Sequence, residues 1–157
     1  MTNTFDPMNT LNLPSDAPDI DETLRIDRLK IDEEFTSFPA VFWYYLARQA
    51  EAVRQVEAAK IQLKRGDAAL YERIRAGLEQ DPLIKRVTEA MVDSAVTTSD
   101  EWREARDNLA DLELRRRTLD AACEALRAKK DMLVQLGARA RAELEREPRV
   151  NETGYQG

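Results

Sequence analysis

The stretch that decides the fold runs from Thr98 to Glu145, TSDEWREARDNLADLELRRRTLDAACEALRAKKDMLVQLGARARAELE. It has no proline and a single glycine, Gly137. Leu112, Leu119, Leu126, Leu133 and Ala140 recur every seven residues. Trp102, Leu109, Cys123 and Leu144 fall on the neighbouring line. Two adjacent apolar lines at that spacing form the a/d seam of a long helix laid against a helical partner. At about 1.5 Å per residue the helix would run roughly 70 Å, and a rod of that length cannot bury its stripe on itself. A partner helix is required.

The chain supplies one upstream. Ser37 offers an N-cap and Pro39 suits a first helical turn, so a second long helix is expected from there to about Gly77. Phe42, Val56, Leu63 and Leu70 keep its seven-residue rhythm, with Leu46, Val53 and Ile74 on the adjacent line. Gln49, Lys60 and Asp67 interrupt that stripe, and Gly66 weakens it without ending it. Gly77 and Asp81-Pro82 mark a break, because proline disfavours helix at the residue before it. A short helix follows, with Thr88 as its cap and Ala90, Met91 and Val92 near its apolar side, ending near Val96. Thr98-x-x-Glu101 reads as a capping box opening the final helix.

The expected fold is therefore all-α, a long antiparallel helical hairpin with a short helical tip. Residues 24–147 form the hairpin domain. An N-terminal strap lies over 24–36, where Leu24, Ile26, Leu29 and Ile31 punctuate an otherwise charged segment. Residues 1–23 read as a disordered acidic tail and 148–157 as a flexible C-terminal one. The acidic arm is either a solvated tail with a few anchoring side chains or a competitor of nucleic acid for a basic surface.

Composition bounds the chemistry. There are no histidines and one cysteine, Cys123, so His-dependent triads, the usual zinc frameworks and an intrachain disulfide are excluded. Cys123 lies on the apolar stripe and reads as a small buried hydrophobe. No glycine cluster could cradle a phosphate, and the carboxylates sit at helix-surface spacing among Lys and Arg. No enzyme, metal or cofactor is expected. No apolar run approaches a membrane span and the N-terminus lacks a signal pattern, which predicts a soluble cytoplasmic protein. The net charge of −6 equals that of residues 1–37 alone, where nine acids meet Arg25, Arg28 and Lys30. The remaining 120 residues are neutral overall, so the acidic balance does not exclude a nucleic-acid-binding body.

Two groups of residues could carry function. Phe38, Phe42, Trp43, Tyr44 and Tyr45 open the first long helix, and four adjacent aromatics cover every side of it. Either another subunit covers the surplus or unpaired bases stack there. Lys60, Lys64 and Arg65, then Arg73 and Arg75, follow down the same helix, with Lys85 and Arg86 in the tip. Arg115, Arg116, Arg117, Arg127, Lys129 and Lys130 lie on the final helix, with Arg116 and Lys130 at core-line positions. Such charges serve cross-helix pairing, an ordinary solvated face, or a groove that tracks phosphates.

The block Lys129–Arg139, KKDMLVQLGAR, resembles the closing motif of a family of phage-encoded helical proteins, the UvsY-like recombination mediators. The aromatic opening FPAVFWYYLARQAEA, the LKR and LYERIR elements and the tip segment VTEAMVDSAVTTSDEW are similar in layout, so the likeness spans roughly residues 24–145. It implies a small helical protein assembling into a homo-oligomeric ring. Such a protein binds single-stranded DNA, remodels single-strand-binding protein and helps load a RecA-like recombinase, in the host-cell cytoplasm if phage-encoded. The implied DNA element is Lys60, Lys64, Arg65, Tyr71, Arg73 and Arg75. Its tyrosine is single, and its Lys/Arg spacing departs from the family's pattern. Assembly would fall to Phe42, Trp43, Tyr45, Leu126, Met132, Leu133 and Leu136. The competing expectation is a coiled-coil scaffold or adaptor without a nucleic-acid role.

Overall fold

The structure is a computed structural model and describes residues 19–146; the N-terminal segment before Asp19 and the C-terminal tail lie outside the described residues. Four helices follow in order: α1 (Ile20–Leu24), α2 (Ile31–Glu79), α3 (Glu89–Thr98) and α4 (Asp100–Arg146). The two long ones, of 49 and 47 residues, pack against each other as the all-α hairpin that the heptads require. Cross-links between them run in opposite chain directions, from Lys129–Glu34 through Gln49–Asp120 and Asp67–Arg106 to Arg73–Glu101. That order fixes the pairing as antiparallel.

The main core holds Phe38, Tyr45 and Ala52 of α2 against Leu119, Cys123, Leu126 and Leu133 of α4. Leu119, Leu126 and Leu133 are 0–1% exposed, as their spacing demands. On α2 the line of Val56 and Leu70 is buried as expected, 1% and 4% exposed, and the adjacent line is shifted by one residue. It passes through Tyr45 and Ala52, whereas Val53 is 41% exposed and Leu46 only half-buried. Phe38, Tyr45 and Ala52 also keep a seven-residue step, but Leu46 and Val53, one position after Tyr45 and Ala52, are the more hydrophobic and mask it. A second, smaller core closes the tip, where Leu70 meets Val92 and Val96 with Tyr71, Ile74 and Trp102 around them.

Four local readings are corrected. The helix α2 starts at Ile31, so Pro39 lies inside it and Ser37 caps nothing; the Ser37 hydroxyl donates to the Glu33 carbonyl at 2.9 Å. Proline there has no N–H to give the Phe35 carbonyl. The helix continues through it because the preceding turns are held on α4. Phe38 is buried, Glu34 meets Lys129, and Phe35 lies over Gly137, where an added Cβ would stand 3.1 Å from the ring. The expected strap over 24–36 is thus helical from residue 31, and α1 takes residues 20–23 from the expected tail. Buried Ile20 is what holds α1 to the core.

At the other end the cap of α4 is Ser99 rather than Thr98. Its backbone is extended, and its hydroxyl accepts from the Trp102 N–H at 3.3 Å. Thr98 is the last residue of α3 and donates to the Ser94 carbonyl at 2.8 Å. The Thr88 cap of α3 stands as expected, accepting from the Met91 N–H at 3.4 Å. Finally, Lys130 is 53% exposed on its side chain and pairs with Asp131, while the buried lysine is Lys129. Met91 is exposed, and Val92 with Val96 form the apolar side of α3.

Candidate nucleic-acid interface

The basic residues expected on α2 do not share one face. At about 100° per residue, Lys60, Lys64, Tyr71 and Arg75 fall on one flank of the helix, Arg73 on the opposite flank and Arg65 on the outer side. Lys60 pairs with Glu57 at 3.1 Å and Arg75 with Glu79 at 3.1 Å, each within one turn. Arg73 reaches across to Glu101 on α4 and ties the two long helices. Lys64 and Arg65 are exposed and, among the described residues, have no ion-pair partner. Tyr71 is half-buried against the tip core, so its ring packs α3. Lys60, Lys64 and Arg75 thus share a solvent-facing flank with Glu57 and Glu79, and among the described residues only Lys64 of these three cations is without an ion pair.

A second basic group lies nearer the middle of the hairpin. Arg115 and Arg116 are half-buried, each with its Nε buried and, among the described residues, without a hydrogen-bond partner, as is the Tyr44 hydroxyl. Arg48 stacks its guanidinium 5.2 Å above the Tyr44 ring. Acids answer these cations locally. Asp120 accepts from Gln49 at 2.7 Å and stands 3.9 Å from Arg116. Glu51 is held down to about 2 by hydrogen bonds from Arg54 and then Gln55. This region is a mixed-charge network rather than an open cationic track.

The residues expected to assemble subunits divide. Tyr45, Leu126 and Leu133 are 0–1% exposed inside the hairpin and have no surface to offer another chain. Phe42 stacks on Phe38 with ring centroids 5.5 Å apart and is half-buried, as is Leu136. Trp43 and Met132 remain outside, 71% and 55% exposed. Cys123 is buried, and that burial pushes its thiol up from the usual range. Among the described residues no group of His, Cys, Asp or Glu is placed to hold a metal ion. No helix among them is long and apolar enough to cross a membrane.

The residue that sequence reasoning passed over is Lys129. Its side chain is 5% exposed, and its ammonium donates to the Thr23 carbonyl at 2.5 Å, the Arg25 carbonyl at 2.8 Å and Glu34 at 2.5 Å. The two carbonyls close the C-terminal end of α1, where backbone acceptors lack helical partners. Glu34 also accepts the Asp27 N–H at 3.3 Å. One ammonium thus fastens α1 and its connection to both long helices. The available signal was its phase: Ala122, Lys129 and Leu136 step by seven beside the leucine line.

Comparison of the chain with protein-family models, with characterised proteins and with solved structures found no match.

Proposed function

We propose that this hairpin binds single-stranded DNA without catalysis, as a homo-oligomer, in the manner of the UvsY-like recombination mediators that its closing motif resembles. In that role it would help a RecA-like recombinase onto DNA covered by single-strand-binding protein. The observation that carries the reading is the flank of Lys60, Lys64 and Arg75 on α2. Among the described residues Lys64 has no ion-pair partner, and the other two hold exposed one-turn ion pairs. Exposed pairs of that kind contribute little, so a phosphate can displace the carboxylate at small cost. One protomer offers few contacts, and repetition around an oligomer would raise avidity without new ones.

The test is fluorescence anisotropy with a labelled single-stranded oligonucleotide at about 50 mM and about 200 mM salt. Three phosphates neutralised per protomer predict a log–log salt slope of roughly −2 for one protomer's contacts. Binding should weaken in Lys60→Ala/Lys64→Ala/Arg75→Ala with helix content and mass unchanged. No binding at the lower salt by folded protein refutes the reading. A second reading, a helical scaffold or adaptor, is favoured by the local neutralisation of Lys60, Arg73 and Arg75, and that outcome would establish it.

A further inference from the structure

The stripe of α4 does not stop where α2 begins. Ala140 continues the line of Leu126 and Leu133 beside the first turn of α2, and Leu144, on the Cys123 line, is 69% exposed. Beside them a hollow of about 600 Å³ opens between α2, α4 and the turn that joins α1 to α2. Leu29, Phe35, Ala140 and Leu144 line it, beside charged residues of both signs. Leu29 is 95% exposed.

That exposure is built rather than incidental. The Asp27 carboxylate accepts the Leu29 N–H at 2.9 Å, and the Asp27 carbonyl accepts the Lys30 N–H at 3.1 Å. The two bonds close a tight turn whose tip is Leu29. The Lys129 ammonium, bound to the carbonyls of Thr23 and Arg25, pins the segment leading into that turn. A large apolar side chain is therefore held in solvent on a fixed turn, at a hollow whose lining is partly apolar and partly charged.

We propose that this open end of the hairpin is the contact between two copies of the chain, related by a two-fold axis. Each copy's Leu29 enters the other's hollow and packs on Phe35, Ala140 and Leu144. The proposal rests on the self-association part of the functional reading and not on DNA binding. A knob and a hole on one patch are what an isologous contact needs, since each is used once by each copy. The charges around the hollow fit the same operator. Arg141 flanks it from α4 and Asp32 from the first turn of α2, and neither has an ion-pair partner among the described residues. Two-fold pairing sets the Arg141 of one copy against the Asp32 of the other, an apolar centre with a charged rim.

The experiment is the mass of the full-length chain across low- to high-micromolar concentrations, by light scattering and mass photometry, without DNA. The wild type should shift from monomer towards dimer or a multiple of it. Leu29→Asp and Leu144→Glu should each weaken association at least about tenfold, as for an interface anchor, with helix content and melting temperature unchanged. Arg141→Glu and Asp32→Arg should each weaken it, and the chain carrying both should recover it. Wild-type protein that is monomeric at every concentration overturns the proposal and leaves the hollow to the chain's own terminal residues or to a foreign partner. Oligomers unaffected by Leu29→Asp and Leu144→Glu overturn it as well, because copies would then meet elsewhere. DNA binding is read separately, so loss of one result leaves the other standing.

Discussion

Replacing Lys129 with methionine removes the donor of three hydrogen bonds and leaves a carboxylate and two carbonyls facing an apolar side chain. Breaking a buried ion pair by removing one partner costs about 3–5 kcal/mol. The Glu34 side chain retains 20% exposure and can turn outward, which sets the expectation at the low end, about 3 kcal/mol. The cost falls on one part of the molecule. Lys129 holds α1 and residues 25–30, whereas the seam between Tyr45 and Leu119 does not involve it. Lys129→Met should therefore undock α1 before it melts the hairpin. Hydrogen exchange resolved by mass spectrometry reads this directly. Amides of residues 21–30 should exchange up to about 150-fold faster, since each 1.4 kcal/mol is tenfold, while those around Leu119–Leu126 keep most of their protection. Lys129→Met/Glu34→Met should recover part of the loss, because two apolar groups leave no charge buried alone. Unchanged exchange at residues 21–30 in the single variant, or a double variant worse than either single one, would refute the reasoning.

Tyr45 is pushed up to about 12 by burial first, then by Tyr44, Asp19 and Cys123. The folded chain favours the neutral phenol, so its contribution is complete below the ordinary value near 10 and is lost as pH rises to about 12. Helix content followed by circular dichroism should fall in that window, and Tyr45→Phe should remove the last phenolate transition seen by ultraviolet absorbance. Ser99→Ala should cost about 1 kcal/mol as the loss of an N-cap, read by chemical denaturation, while Thr98→Ala should change stability by well under half of that. Gly137→Ala gains up to about 1 kcal/mol of helix propensity but must displace the Phe35 ring. Denaturation should show it near neutral alone and stabilising by about 1 kcal/mol in a Phe35→Ala background.

The hairpin was legible because α4 writes its stripe in leucines at a strict step, and because Asp81-Pro82 separates two helices too long to be globular. The phase of α2 was legible only in part: Val56 and Leu70 are buried on the expected line, but Tyr45 and Ala52 pack beside it while the more hydrophobic Leu46 and Val53 are more exposed. Lys129 was hidden for a related reason. A charge in an apolar line looks the same whether it is solvated or bonded, and only the fold reveals the carbonyls that await it. On the candidate interface, the types of residue were readable but their engagement was not. Whether Lys60 and Arg73 are free depends on Glu57 one turn away and on Glu101 in a different helix. The first is a sequence-local fact; the second needs the hairpin register.

Pro39 gives α2 a division that its unbroken helical course conceals. The residues before it, Ile31–Phe38, are attached to α4 through Glu34, Phe35 and Phe38, and joined to the rest of α2 by the Phe38–Phe42 ring stack and a backbone with a missing hydrogen bond. Cooperativity follows attachments, not helix boundaries. The first two turns of α2, with α1 and the Leu29 turn, thus make one clasp around the end of α4. A chain cut between Phe38 and Pro39 would be expected to lose its clasp by dissociation of a piece, with the helix from Pro39 to Glu79 left in place on its partner. A continuous helix can belong to two cooperative units.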